Sequence, residues 1–463
     1  MLIHPDRLFP SERNTREVAR ALYEHVRNLP IISPHGHTKA EWFARNEPFP
    51  DPAQLIVQPD HYICRMLYSQ GVSLEDLEIG TREERHPRKV WRIFAEHYHL
   101  FRGTPTRIWL DQTFEGVFGL SEPLAKATAD VYFDTISERL QSPQFLPRAL
   151  YEQFNIEVLA TTDSPLDSLE HHKAICGSRW KGRVLPTFRP DPVVDPDGPC
   201  FLKNLEGLGE TSGEDTASWK GYLAALRATR RRFQQLGCTA TDHGHPTAAT
   251  ADLAEREADE LYAKLRSGHA DASQKELFRA QMLTEMARMS LDDGLVMQLH
   301  PGSARNHNRA LYERYGPDVG ADIPTPTNYV EGLRPLLNRF GNEKRLTVIL
   351  FTLDESTYSR ELAPLAGHYP CLRLGPPWWF HDSPEGMMRY RQSVTETAGF
   401  YNTVGFNDDT RAFLSISARH DVARRMDAAY LAKLVVEHQL REAEAMQIAV
   451  ELAYSLVKKT YRL

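Results

Sequence analysis

The strongest constraint on the fold is a recurring pattern: a short, β-rich apolar run that stops abruptly at polar residues. The runs are LPIISPHGH (29–37), IEVLATTDSP (156–165), RVLPTFRPD (183–191) and CTATDHGHP (238–246), then LVMQLHPGS (295–303), RLTVILFTLD (345–354), CLRLGPPWW (371–379) and NTVGFNDD (402–409). Each has the length and residue types of a strand buried on both faces. Several of the intervals between them have helical spacing. Residues 218–236 place Tyr222, Leu223, Leu226 and Phe233 along one side, and residues 272–290 place Leu277, Phe278, Met282, Met286 and Met289 at helical intervals. The Met series reads as core, and the RRR run at 230–232 reads as a solvated helix face.

Eight buried strands alternating with helices predict an α/β fold, a (β/α)8 TIM-like barrel spanning 1–463 as a single domain. Two intervals exceed what a crossover needs. A helical insertion is expected at about 38–155, which holds HYICRMLYSQG and RKVWRIFAEHYHLF, and a smaller one at about 192–237. Barrels of this kind carry functional residues at the C-terminal ends of their strands. Here those ends supply His35, Asp163, Arg189, His243, His300 and Asp409.

Composition narrows the class of partner. With 55 basic and 62 acidic residues the net charge is −7, which offers no electrostatic footprint for nucleic acid or an anionic membrane. No apolar run approaches the roughly 20 residues of a spanning helix. The first residues lack the pattern of a signal peptide. The five cysteines are scattered without a CxxC spacing, so they read as buried thiols in a reducing, cytoplasmic setting.

The most informative polar stretch is SPHGH at 33–37. In an extended chain residues i and i+2 share a face, so His35 and His37 converge on one point at the mouth of the first strand. Imidazoles bind zinc and similar divalent ions, and a catalytic site adds a carboxylate while leaving a position open. The eighth run ends in Asp408 and Asp409, and barrel closure sets it beside the first.

That constellation resembles the amidohydrolase superfamily. Longer strings narrow the likeness to the uronate isomerase (glucuronate isomerase) family: SPHGH, DHY (60–62), TTDSPLDSLEHH (161–172), LPTFRPD (185–191), DH (242–243), QLHPGSARNHN (298–308), WWFHDSPEGM (378–387) and VGFNDDTRAFLS (404–415). The resemblance runs nearly the whole chain in order. It implies a distorted barrel with one divalent metal, commonly Zn2+. It also implies isomerisation of D-glucuronate to D-fructuronate, and of D-galacturonate to D-tagaturonate, through a cis-enediol in cytoplasmic uronate catabolism.

That chemistry needs a base near C2, an electrophile for the carbonyl oxygen and a grip on the C6 carboxylate. His35, His37 and Asp409 are the expected metal ligands. Asp409 and Tyr62 compete as the base, the phenol needing activation by a cation such as Arg411. His300 is expected to donate to substrate oxygens, and His243 to be a further ligand or a supporting group. Arg189, Arg305 and Arg411 are candidates for the carboxylate. His61, in the DHY string, is a substrate-binding candidate.

Trp378 and Trp379 are expected to split their roles, one walling the sugar and one packing. Asp163 is expected to position a substrate hydroxyl or an arginine. His245 lies outside the resemblance, so HGH at 243–245 reads as a turn histidine before Pro246 rather than a second metal site. The alternatives are a mononuclear metal-dependent hydrolase or deaminase, and a non-catalytic binding protein. A homo-oligomer is expected.

Overall fold

A computed structural model describes residues 1–80 and 85–463. Seven short parallel strands form the barrel wall: β1 (Ile31–Ser33), β2 (Ile156–Ala160), β3 (Arg183–Leu185), β4 (Ala240–His243), β5 (Val296–Leu299), β6 (Val348–Leu350) and β7 (Leu372–Leu374). They pair in two arcs, β1-β2-β3 and β4-β5-β6-β7. Phe188 bridges the arcs by pairing with both Asp163 and Thr241, and Thr403 of the eighth run pairs with Leu374. Closure is completed where the His37 amide donates to the Thr410 carbonyl at 3.0 Å. The eighth run thus lies where a strand would but makes only an isolated bridge, and the ring is distorted accordingly.

The side chains follow the two-residue alternation of strands. Ile32, Val158, Ala240, Val296, Ile349 and Val404 fill the barrel interior. Met297, Leu299, Val348, Leu350, Leu372 and Leu374 face outward against the helices. Tyr461 plugs the floor, its hydroxyl donating to Gln298 at 3.0 Å and accepting from Asn407 at 3.4 Å.

Between β1 and β2 the chain is helical, including α1 (His61–Ser69), Pro87–His97 and α2 (Pro105–Gly116), with its own aromatic core. Asp60 caps α1 by accepting from the amides of Tyr62 and Ile63 at 2.8 and 3.3 Å, which fixes His61 and Tyr62 at the helix start. Between β3 and β4 lie Phe201–Ser212 and α3 (Trp219–Gln234). The helix α4 (Ala272–Asp293) precedes β5, and α5 (Ile416–Val436) follows the eighth run.

Two sequence readings are corrected here. Arg230 is not on a solvated face: it is fully buried, pairing with Asp293 at 2.6 Å and donating to Ser290 at 3.0 Å. A guanidinium tolerates this position because its carboxylate partner is held in bidentate fashion. Leu277 is exposed while Phe278, Met282, Met286 and Met289 are buried. The thiols also divide: Cys64, Cys238 and Cys371 are buried, but Cys176 and Cys200 are exposed.

Candidate active site

A cavity of about 540 Å³ opens at the C-terminal mouth of the barrel, the size range of a small-molecule site. His35, His37, His61, Tyr62, Arg189, His300, Arg305, Trp378, Trp379, Asp409 and Arg411 all line it. Asp163 and His243 do not.

His35 and His37 point their Nε2 atoms at Oδ1 of Asp409, at 3.2 and 3.0 Å. Donors about 2.05 Å from a shared tetrahedral ion would stand roughly 3.3 Å apart, close to both His–Asp409 separations, so this set is compatible with a divalent metal. Burial disfavours charge on Asp409, but the two imidazoles outweigh it and hold the carboxyl well below its usual range. The Asp409 backbone is left-handed, with φ of +38°. Its neighbour Asp408 turns away and accepts from His420 Nε2 of α5 at 3.0 Å.

Asp242 and His300 form a second buried pair beside this trio. The Nδ1 of His300 donates to Asp242 at 2.6 Å, and Arg189 Nη1 pairs with the other oxygen of Asp242 at 3.0 Å. Burial acts against ionising Asp242, yet Arg189 and His300 hold it well below the usual carboxylate range. An ionised carboxylate can only accept, so the ring proton of His300 sits on Nδ1. Burial keeps the ring neutral, which leaves Nε2 bare and without a protein partner. His300 therefore presents an acceptor nitrogen to the cavity, where the sequence reading has it donating. Its ring is held by stacking on Phe351 at 3.9 Å and on His35 at 4.6 Å.

The Tyr62 hydroxyl donates to Asp382 at 2.7 Å and accepts the Phe380 amide at 2.9 Å. The cation next to it is Arg419, not Arg411: Arg419 Nη1 pairs with Asp382 at 2.8 Å while its guanidinium lies 3.6 Å over Trp109. Burial and Asp382 raise the Tyr62 phenol well above its ordinary value, so it stays protonated. His61 is pushed down to about 3 by burial and by Arg411, and is a neutral ring.

Four arginines line the cavity, and each has a carboxylate neighbour, Asp382 in the case of Arg419. Arg189 is saturated, its Nε meeting Asp191 at 2.7 Å and its Nη1 meeting Asp242. Arg411 pairs with Asp318 at 3.0 Å, and Arg305 approaches Asp322 only at 3.6 Å while lying 5.8 Å over Trp379. Both tryptophans line the cavity, because the segment is a turn and not a strand. Trp379 and Phe380 have φ of +31° and +62°, and Trp378 meets the His300 ring edge-on at 4.6 Å.

Asp163 is not brought to the cavity. It accepts from the Thr161 hydroxyl at 2.6 Å, beside His172. Burial pushes its carboxyl up to about 7. A folded-state value above the unfolded one favours folding fully below pH ~4, and that advantage is lost as pH rises through 7. Asp163→Asn cannot ionise, so its melting temperature should exceed that of the unsubstituted protein by a margin that grows from pH 5 to pH 8. The upper bound is on the order of 4 kcal/mol. A margin independent of pH would mean that Asp163 is ionised in the fold.

His243 is directed outward because alternation along β4 puts Asp242 inside and sends Thr241 and His243 to the outer face. Its Nε2 lies 3.1 Å from the Thr241 hydroxyl. His245 and Asp191 stand beside it, one donor atom of each residue lying within 4.8 Å of the others. HGH is thus not an isolated turn histidine. Sequence reasoning also missed Asp382, Arg419 and Asp318. Asp382 lay within a quoted string, WWFHDSPEGM, but neither Arg419 nor Asp318 has a local signal that separates it from a surface charge.

A parallel barrel whose mouth gathers an HxH pair and an aspartate from the last run defines a barrel enzyme with a His/Asp cluster compatible with a metal. The sequence profile described as glucuronate isomerase matches residues 12–461. A uronate isomerase of Rhizorhabdus wittichii is 65% identical over 461 residues, covering 100% of this chain and 98% of the relative. Among solved structures, the glucuronate isomerase from Caulobacter crescentus superposes with a TM-score of 0.98 at 59% identity, covering 99% of this chain and 97% of its own. The uronate isomerase from Thermotoga maritima gives a TM-score of 0.93 at 29% identity, covering 100% of both chains. The chain belongs to the glucuronate isomerase family and is an isomerase.

Proposed function

We propose that this chain interconverts D-glucuronate and D-fructuronate, and D-galacturonate and D-tagaturonate, as an aldose–ketose isomerase. Family membership supports the reaction. The observation that carries the mechanism is the convergence of His35, His37 and Asp409 within a cavity bearing four arginines. The hydrolase alternative is not favoured, since the relatives are isomerases over the whole length.

His35, His37 and Asp409 would hold one divalent ion, Zn2+ by donor type, which when bound stabilises negative charge on the enediolate oxygens. Asp409 is the base: Oδ1 faces the imidazoles and Oδ2 takes the C2 proton and returns it to C1. The O2 proton passes to O1 in the same conversion, and the bare Nε2 of His300 is placed to accept it in transit. Tyr62, held protonated by Asp382, fixes the turn that carries Trp379 and does not act as the base. His61, Trp378 and Trp379 wall the sugar from water.

Arg305 and Arg411 grip the C6 carboxylate; Arg189 is committed to Asp191 and Asp242. Arg305→Met should raise KM by about 10- to 100-fold with kcat little changed, the loss expected for one charge-assisted pair. A fall in kcat at constant KM would give Arg305 a different role.

Proton NMR of the zinc-reconstituted protein with D-glucuronate, and separately with D-galacturonate, tests the activity. Ketose signals support the reading, and no turnover of either sugar with metal bound overturns it. We further propose that the whole chain works as one catalytic domain, with 38–155 roofing the mouth and 192–237 flanking β3 and β4. Its setting is cytoplasmic and its state a homo-oligomer, which light scattering would measure. No described helix is long and apolar enough to cross a membrane.

A further inference from the structure

We propose a second divalent-cation site on the outer shoulder of β4, formed by Asp191, His243 and His245. It is separate from the His35–His37–Asp409 trio and does not depend on the isomerase reading. One donor atom from each residue lies within 4.8 Å of the other two. Donors bound to one zinc ion stand roughly 3.3 Å apart, a separation that ceiling contains.

The two imidazoles are the reason to expect an occupant. His243 is 1% exposed and His245 6% exposed. Each carries a buried ring nitrogen with no hydrogen-bond partner, Nδ1 of His243 and Nε2 of His245. A buried polar atom left unsatisfied costs about 1–3 kcal/mol, so two such atoms on rings clustered with one carboxylate are not a bland packing arrangement. Burial holds both rings toward the neutral form, the form that ligates.

Charge supports a cation. Arg189 is shared between Asp191 and Asp242, one guanidinium against two carboxylates. Arg279, the other cation near His245, is already neutralised by Asp195, Asp197 and Glu276. Asp191 also accepts the Gly244 amide at 3.2 Å, which orients the carboxylate. A Cβ at Gly244 would collide with Arg189 Nη2, so this backbone passes against the guanidinium only as glycine. Asp191 lines the cavity as well, giving an ion a route in from solvent. A His2Asp donor set suits Zn2+ or another borderline ion rather than Mg2+ or Ca2+.

The test is metal stoichiometry after equilibration with ZnCl2 and desalting. Two ions per chain are expected in the unsubstituted protein, one in His245→Gln, one in His37→Gln and none when both are changed. Diffraction at the zinc absorption edge would place a second anomalous peak between Asp191 and His245. One ion per chain, lost with His37→Gln and kept with His245→Gln, would overturn the proposal. So would a second ion that persists in His245→Gln. Should His245→Gln not fold, the unsubstituted protein loaded with Co2+ gives the same decision: two saturable steps in the visible d–d bands support the site, and one step refutes it.

Discussion

Asp409→Asn should lower kcat for uronate isomerisation by about 10⁴-fold while leaving the fold in place. The carboxylate carries two duties at once in the proposed mechanism. Its Oδ1 completes the donor set with His35 and His37, and its Oδ2 moves the proton. General base catalysis alone is worth about 10²–10⁴-fold, so a defect at the upper end is expected when metal affinity weakens as well. The amide is isosteric and the position is lined by the cavity, so circular dichroism should be unchanged. Solvent-proton exchange at C2, followed by NMR in D2O, separates the two duties. If zinc is retained and exchange is lost, Asp409 is the base. If exchange continues at near the unsubstituted rate, the base lies elsewhere. Tyr62→Phe is the natural comparison. Its phenol is held protonated against Asp382, so its removal should cost only about tenfold through the loosened Trp379 turn.

The second large effect is expected at Arg189. Arg189→Met should destabilise the protein by about 3–5 kcal/mol, the range for breaking a buried ion pair from one side. Asp242 is fully buried and, among the described residues, would keep His300 as its only charged or chargeable hydrogen-bond partner. The imidazole would then be drawn toward its protonated form, and Nε2 would become a donor instead of an acceptor. Turnover should fall by 10²-fold or more, with the optimum displaced to higher pH, where His300 is again neutral. The urea midpoint and the pH–rate profile measure the two consequences separately. Arg189→Lys should recover only part of either, because an ammonium cannot span Asp191 and Asp242 as a planar guanidinium does. An unchanged pH profile in Arg189→Met would mean that Asp242 does not set the state of His300.

How far the sequence could be read depends on whether a signal is local. The strands were legible because a short apolar run ending in polar residues reports burial and termination together. The His35–His37 pair was legible for the same reason, since two-residue spacing within an extended segment dictates a shared face. His243 misled because it sits one residue further along β4 than Asp242, and nothing local says where the inward register falls. The protonation roles were illegible for a different reason. His300 presents an unprotonated nitrogen because of Asp242 on the preceding strand, and Tyr62 stays protonated because of Asp382, far away in the chain. Arg230 looked like surface because its partner, Asp293, lies at the end of another helix. Pairings of that kind are properties of the packed molecule.

The donor trio is distributed in an unusual way along the polypeptide. His35 and His37 emerge early in synthesis, whereas Asp409 follows only after the other strands have been made. An N-terminal fragment on the ribosome therefore presents two imidazoles without the carboxylate that completes the cluster. Tyr461, which seals the barrel floor, arrives later still. The proposed His35–His37–Asp409 site is therefore complete only once the ring can close.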